Sequence, residues 1–129
     1  MFHYTVTVDK PVDEAVVSLT ESLQKRRFGV LWQLDVPAKL QEKGVDFQVP
    51  YRILEVCNPQ EASRVLSANL HVGYFLPCKI VVYEEDGKTK IGLPRPTVLL
   101  EILGDDRLQE TARRLETVLQ EAIDEAAAS

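Results

Sequence analysis

Asp86 and Gly87 constrain this chain more than any other pair of residues. An Asp-Gly step between two apolar alternating runs specifies a two-residue hairpin, because both central residues of that turn take positive φ. Counting outward pairs Glu85 with Lys88, Glu84 with Thr89, Val82 with Ile91 and Ile80 with Leu93. In this register Cys78, Ile80, Val82, Ile91 and Leu93 share one apolar face. Lys79, Val81, Tyr83, Lys90 and Gly92 share the other, mixed face. A slip of one residue would scramble both faces.

The rest of the chain supplies partners for this hairpin. Phe2 to Val8 alternates Phe2, Tyr4, Val6 and Val8 with polar residues, the period of a half-buried strand. Pro11 to Phe28 reads as a helix, with Val12, Ala15, Val16, Leu19 and Leu23 on one side and Pro11 in the first turn. Asp13 and Glu14 suit its positive end, Lys25, Arg26 and Arg27 suit its negative end, and Gly29 is the expected stop.

Val30 to Asp35 is a second strand, Pro37 to Lys43 a short helix closed by Gly44, and Tyr51 to Cys57 a third strand. Asn58 can cap a helix running to about Leu70, with Pro59 in its first position and Glu61 reaching back to the cap. His71 to Pro77 is expected as a loop and Val98 to Ile102 as a last strand. The closing helix begins near Asp105 or Asp106. Its last turns carry Glu121, Asp124 and Glu125, the wrong sign for the helix dipole, so that end is expected to fray.

Together these elements predict a two-layer α+β domain spanning residues 1–129. It has an antiparallel sheet in β-α-β-β-β-β-α order, short helical insertions, and the long helices on one face. Apolar residues make up 45% of the chain and charged residues 27%, which suits one folded core rather than a disordered chain. No apolar run approaches the roughly 20 residues of a membrane span, so no membrane partner is expected. The net charge of −5 disfavours nucleic acid. Phe2 to Val8 lacks the pattern of a secretory signal, and a reducing cytoplasm with two free thiols is expected.

The run Tyr51-Arg52-Ile53-Leu54-Glu55-Val56-Cys57-Asn58-Pro59, then Ala62, then Gly73-Tyr74-Phe75-Leu76-Pro77-Cys78 through Asp86-Gly87, resembles a bacterial and archaeal family called domain of unknown function 302. The Cys-Asn-Pro and Leu-Pro-Cys segments, in this order with a helix between, carry the likeness. The resemblance implies a TATA-binding-protein-like α+β fold in a single copy, and dimers. It implies no activity and supplies no catalytic residues. Fold alone does not assign function.

Two sets of residues bear chemistry. Cys57 ends a strand beside a helix N-terminus, where a thiol pKa can fall, and Cys78 starts the next strand. If those strands are antiparallel neighbours, the sulfurs can be close, as a redox or sulfur-handling site requires. Two small buried apolar residues would look the same. His71 is a weak third metal ligand, because zinc wants three or four and the short C-x-x-C spacing is missing. Gly73, Tyr74 and Phe75 can line an apolar pocket, and Arg95 between Pro94 and Pro96 can hold an anion.

The six glycines are too scattered for a nucleotide-binding loop, and no cofactor is expected. No H-E-x-x-H, G-x-S-x-G or S-x-x-K motif occurs. The leading expectation is a non-catalytic homodimeric module that binds a small ligand or protein partner near residues 73–78. The alternative is a thiol-dependent redox or sulfur-handling protein using Cys57 and Cys78.

Overall fold

A computed structural model describes residues 1–129. Strand β1 (His3–Val8) leads into helix α1 (Val12–Lys25), strand β2 (Gly29–Asp35) and the short helix α2 (Val36–Glu42). Strand β3 (Tyr51–Cys57), helix α3 (Pro59–Ala68) and a 3₁₀ turn (Leu70–Phe75) follow. Strands β4 (Cys78–Glu85) and β5 (Lys88–Pro94) form the hairpin. Helix α4 (Pro96–Glu101), a second 3₁₀ turn (Asp106–Leu108) and helix α5 (Gln109–Ala128) close the chain.

The five strands lie in the order β1-β5-β4-β3-β2, every neighbour antiparallel. At the hairpin tip Asp86 has φ 55° and Gly87 φ 75°, as the turn type demands. The observed ladder joins Glu85 to Lys88, Glu84 to Thr89 and Val82 to Ile91. Ile80 and Leu93 lie beyond the last β4–β5 pair, yet both are buried in the same core.

β1 and β2 occupy opposite edges, so α1 must cross the whole sheet between them. Its buried side, Ala15, Leu19 and Leu23, meets Leu119, Ala122 and Ile123 of α5 and Leu54, Val56, Ile80, Val82, Ile91 and Leu93 of the sheet. Each fully buried leucine or isoleucine there contributes about 1.5–3 kcal/mol. The helices approach closely through small residues, and the buried Ser22 hydroxyl donates to the Ala122 carbonyl at 2.7 Å. Neither long helix covers the other face of the sheet.

Several local expectations are corrected. α1 ends at Lys25 and is closed not by Gly29 but by Arg27, two residues earlier, at φ 64°. The Phe28 amide donates to the Leu23 carbonyl at 3.0 Å and the Arg27 amide to Gln24 at 3.1 Å, a Schellman closure built on arginine. Gly44, at φ 82°, closes α2 by the same pattern, as expected. Asn58 caps α3 through the Gln60 and Glu61 amides at 3.1 and 3.2 Å. The Glu61 carboxylate does not return to the cap; it pairs with Arg64 and Arg114.

Val98 to Ile102 is not a strand: it falls within and just after α4. Pro96 starts that helix, and Leu100 turns inward while Ile102 stays exposed. Its first turn is capped from outside, because the Thr97 amide and hydroxyl both donate to Glu116 Oε1 of α5, at 3.1 and 2.7 Å. A cap supplied 19 residues away leaves no local signature.

The acidic end of α5 stays helical to Ala128. Glu125 pairs with Lys25 and Arg26, Tyr4 donates to Asp124, and the Lys10 ammonium donates to the Ala126 carbonyl. These partners replace the cations missing from its own last turn.

Candidate functional site

A second, smaller core forms at the end of the sheet. Val65 of α3, Val72 of the first 3₁₀ turn, Leu100 of α4, and Leu108 and Ala112 ahead of and within α5 pack together there. Asn69 sets the turn: its side-chain oxygen accepts from the His71 amide at 2.9 Å and its amide donates to Asp105 at 3.2 Å. The chain then runs Tyr74-Phe75-Leu76-Pro77 back into β4.

Between this segment and α4 opens a cleft of about 330 Å³. Phe75, Leu76 and Pro77 form one wall; Pro94, Pro96 and Leu99 form the other. Val65 and Leu100 line it from the small core, Leu115 from the main core, and Cys78 borders it. Glu55 and Lys79, directly opposite each other on β3 and β4, bring the charges.

The candidate residues distribute unevenly around this cleft. Tyr74 and Phe75 line it, Tyr74 with 84% of its surface exposed. Gly73 does not line it; a Cβ there would meet Leu66 at an ordinary 3.7 Å. Arg95 does not line it either. Its guanidinium donates to Glu116 at 3.1 Å and to the Met1 carbonyl at 2.9 Å, so it ties α5 and the N-terminal residue together.

His71 is exposed and sits against the Tyr74 ring, centroids 5.9 Å apart. No three His, Cys, Asp or Glu side chains converge as a metal-holding set, so His71, Cys57 and Cys78 do not form one.

Leu99, Leu100, Glu55 and Lys79 escaped the sequence reading as site residues. Assigning Val98 to Ile102 to a strand hid the first two. The hairpin and third-strand patterns could have placed the other two together, since β3–β4 pairing opposes them.

The cysteines are adjacent in the sheet but one residue out of step. Cys78 pairs with Val56, and successive residues of a strand leave opposite faces. The pleat therefore sends the Cys57 side chain away from the face shared by Val56 and Cys78. Both thiols are free. Burial pushes the Cys57 thiol above its ordinary range. Burial, and then the neighbouring Cys57, push Cys78 up to about 11. The Gln60 and Glu61 amides at the start of the helix beside Cys57 donate to the Asn58 side chain and not to the thiol. Burial thus opposes the thiolate activation that the alternative, thiol-dependent reading requires.

A small α+β domain with an antiparallel sheet, helices over one face and an apolar cleft at the sheet's end is the class that fold and site define. The family model described as domain of unknown function DUF302 matches residues 4–126. The chain belongs to the DUF302 family. It is also similar to the crystal structure of an uncharacterized conserved DUF302 protein from Bacillus stearothermophilus. That protein is 56% identical, the match covers 98% of each chain, and the TM-score is 0.95. No curated protein matches. No helix is long and apolar enough to cross a membrane.

Proposed function

We propose that this protein is a non-catalytic homodimeric module that binds a small, largely apolar ligand in the cleft beside residues 73–78. The cleft itself carries this reading. Its volume of about 330 Å³ lies in the range of small-molecule sites, and most of its walls are apolar with few polar groups. Thiol chemistry is the weaker reading, since both thiols are held protonated near neutral pH.

The second copy would cover the bare face of the sheet. Tyr51 and Tyr83 stack there with centroids 5.2 Å apart, and half of the Trp32 surface is exposed nearby. Leu34, Ile53 and Val81 share that face by register. Apolar area of this kind, on a monomer, marks an interaction surface.

An uncharged apolar dye, N-phenyl-1-naphthylamine, tests the cleft. Saturable fluorescence enhancement is expected, and Leu99→Trp, which fills the cleft from its rim, is expected to abolish it with the circular dichroism spectrum unchanged. Absence of saturable binding, or full binding by a folded Leu99→Trp variant, would overturn the reading.

A further inference from the structure

The charged pair at the cleft narrows the class of ligand. Glu55 and Lys79 are register partners on β3 and β4, so their Cβ atoms lie about 4.5–5.5 Å apart on one face of the sheet. Both line the cleft. Neither enters an ion pair or a side-chain hydrogen bond within the chain, whereas Arg95 is committed to Glu116 and Arg114 to Glu61. One free anion and one free cation therefore stand side by side at an apolar cavity. A ligand with a single charge satisfies one of them and leaves the other to solvent, Lys79 being exposed and Glu55 half-buried. A ligand with adjacent opposite charges and an apolar tail satisfies both.

We propose that the cleft binds a free α-amino acid with an apolar side chain, its ammonium on Glu55, its carboxylate on Lys79, and its side chain among Phe75, Leu76 and Leu99. This rests on the cleft being a ligand site. The available volume admits an amino acid of leucine to phenylalanine size, and the proline walls from Pro94 and Pro96 hold the cavity open without donating a backbone N–H to it.

Isothermal titration calorimetry with L-phenylalanine, phenethylamine and 3-phenylpropionate tests it on the full chain. L-phenylalanine is expected to bind about tenfold tighter than either single-charge analogue, one such factor being the worth of one well-placed charged contact. Glu55→Gln is expected to cut L-phenylalanine affinity about tenfold and leave 3-phenylpropionate unchanged, and Lys79→Met to cut L-phenylalanine affinity by a similar factor and leave phenethylamine unchanged. Equal affinity for the three compounds, or affinity for L-phenylalanine unmoved by both substitutions, would overturn the proposal. If the uncharged dye binds and L-phenylalanine does not, the zwitterion assignment fails and the cleft reading stands. If neither binds, both fail.

Discussion

Glu116 of α5 reaches across 19 residues of sequence to cap α4 through Thr97, and with its other carboxylate oxygen accepts from the Arg95 guanidinium at 3.1 Å. One nearly buried carboxylate thereby fixes the start of the helix that forms a wall of the cleft. Burial opposes its ionisation, but the Thr97 hydroxyl and amide and the Arg95 guanidinium outweigh burial and hold its pKa below the usual carboxylate range. A depressed folded pKa stabilises the fold above the unfolded value of about 4.3, and that contribution is lost as pH falls through the folded value. Glu116→Ala is expected to cost about 2–3 kcal/mol at pH 7, for the loss of charge-assisted bonds and an orphaned cap. Urea melts of wild type and Glu116→Gln should draw together as pH falls from 7 through the carboxylate range. A gap that does not narrow with falling pH would contradict the assignment.

Arg27 holds the left-handed position that closes α1, at φ 64°. A non-glycine residue there costs roughly 1–2 kcal/mol in backbone sterics, and glycine avoids this at some loss of chain entropy. Arg27→Gly is expected to stabilise the protein by about 0.5–1 kcal/mol. The guanidinium makes no ion pair in the chain, so little is lost with it. A melting temperature lower than wild type would mean that the turn does not carry the strain its φ implies.

The hairpin, the capped helix at Asn58 and the long helix stripes were legible because each depends on residues within a few positions of one another. Asp86-Gly87 dictates register by its own turn preference, and Asn58 caps the helix that begins next to it. α4 was illegible for the opposite reason. Val98, Leu100 and Ile102 alternate like a strand, and the partner that makes them helical is Glu116 on another element. Arg27 was missed because glycine, the usual occupant of its conformation, stands two residues later. The cleft residues Phe75 and Tyr74 were visible as an aromatic loop, but the opposing wall depended on recognising α4. The cysteines were placed on the right strands; their chemistry turned on a one-residue offset and on burial, which sequence spacing does not encode.

Raised thiol pKa values forecast slow alkylation. Iodoacetamide at pH 7 is expected to label native Cys57 and Cys78 far more slowly than a free thiol of pKa about 8.5, with Cys78 rising only as the pH nears its pKa of about 11. Cys57→Ser and Cys78→Ser are expected to leave dye binding within about twofold, since neither sulfur is asked to react. Rapid labelling at neutral pH, or a disulfide formed reversibly by mild oxidant, would restore the thiol reading.

Gly92 sits where β1 presses against β5. A Cβ built there would lie 2.6 Å from Thr5 Oγ1 and 3.3 Å from the Tyr4 carbonyl oxygen. The hydroxyl also contacts the His3 ring at 2.8 Å, and threonine is stiff about χ1, so the obstruction cannot rotate away freely. Gly92→Ala is expected to destabilise by about 1–2 kcal/mol despite alanine's better strand propensity. Thr5→Ala should relieve part of that loss, giving a double variant less destabilised than the sum of the singles. Additive losses would locate the strain elsewhere.

The bare sheet face is the remaining surface to be accounted for. Its stacked Tyr51 and Tyr83, with Ile53 and Val81 between neighbouring strands, form an apolar strip flanked at one end by Lys90 and Glu85, which pair at 3.3 Å, and at the other by Glu55 and Lys79 beside the cleft. If two copies bury these faces against each other, each apolar side chain removed from water gains up to about 1.5–3 kcal/mol, and a charge placed there is desolvated without a partner. Sedimentation of the wild type in a dilution series is expected to show dimers at micromolar concentration. Val81→Glu is expected to give folded monomers, because two glutamates would meet across a symmetric contact. A wild type that sediments only as monomer, or a Val81→Glu variant that remains fully dimeric, would move the interface off this face.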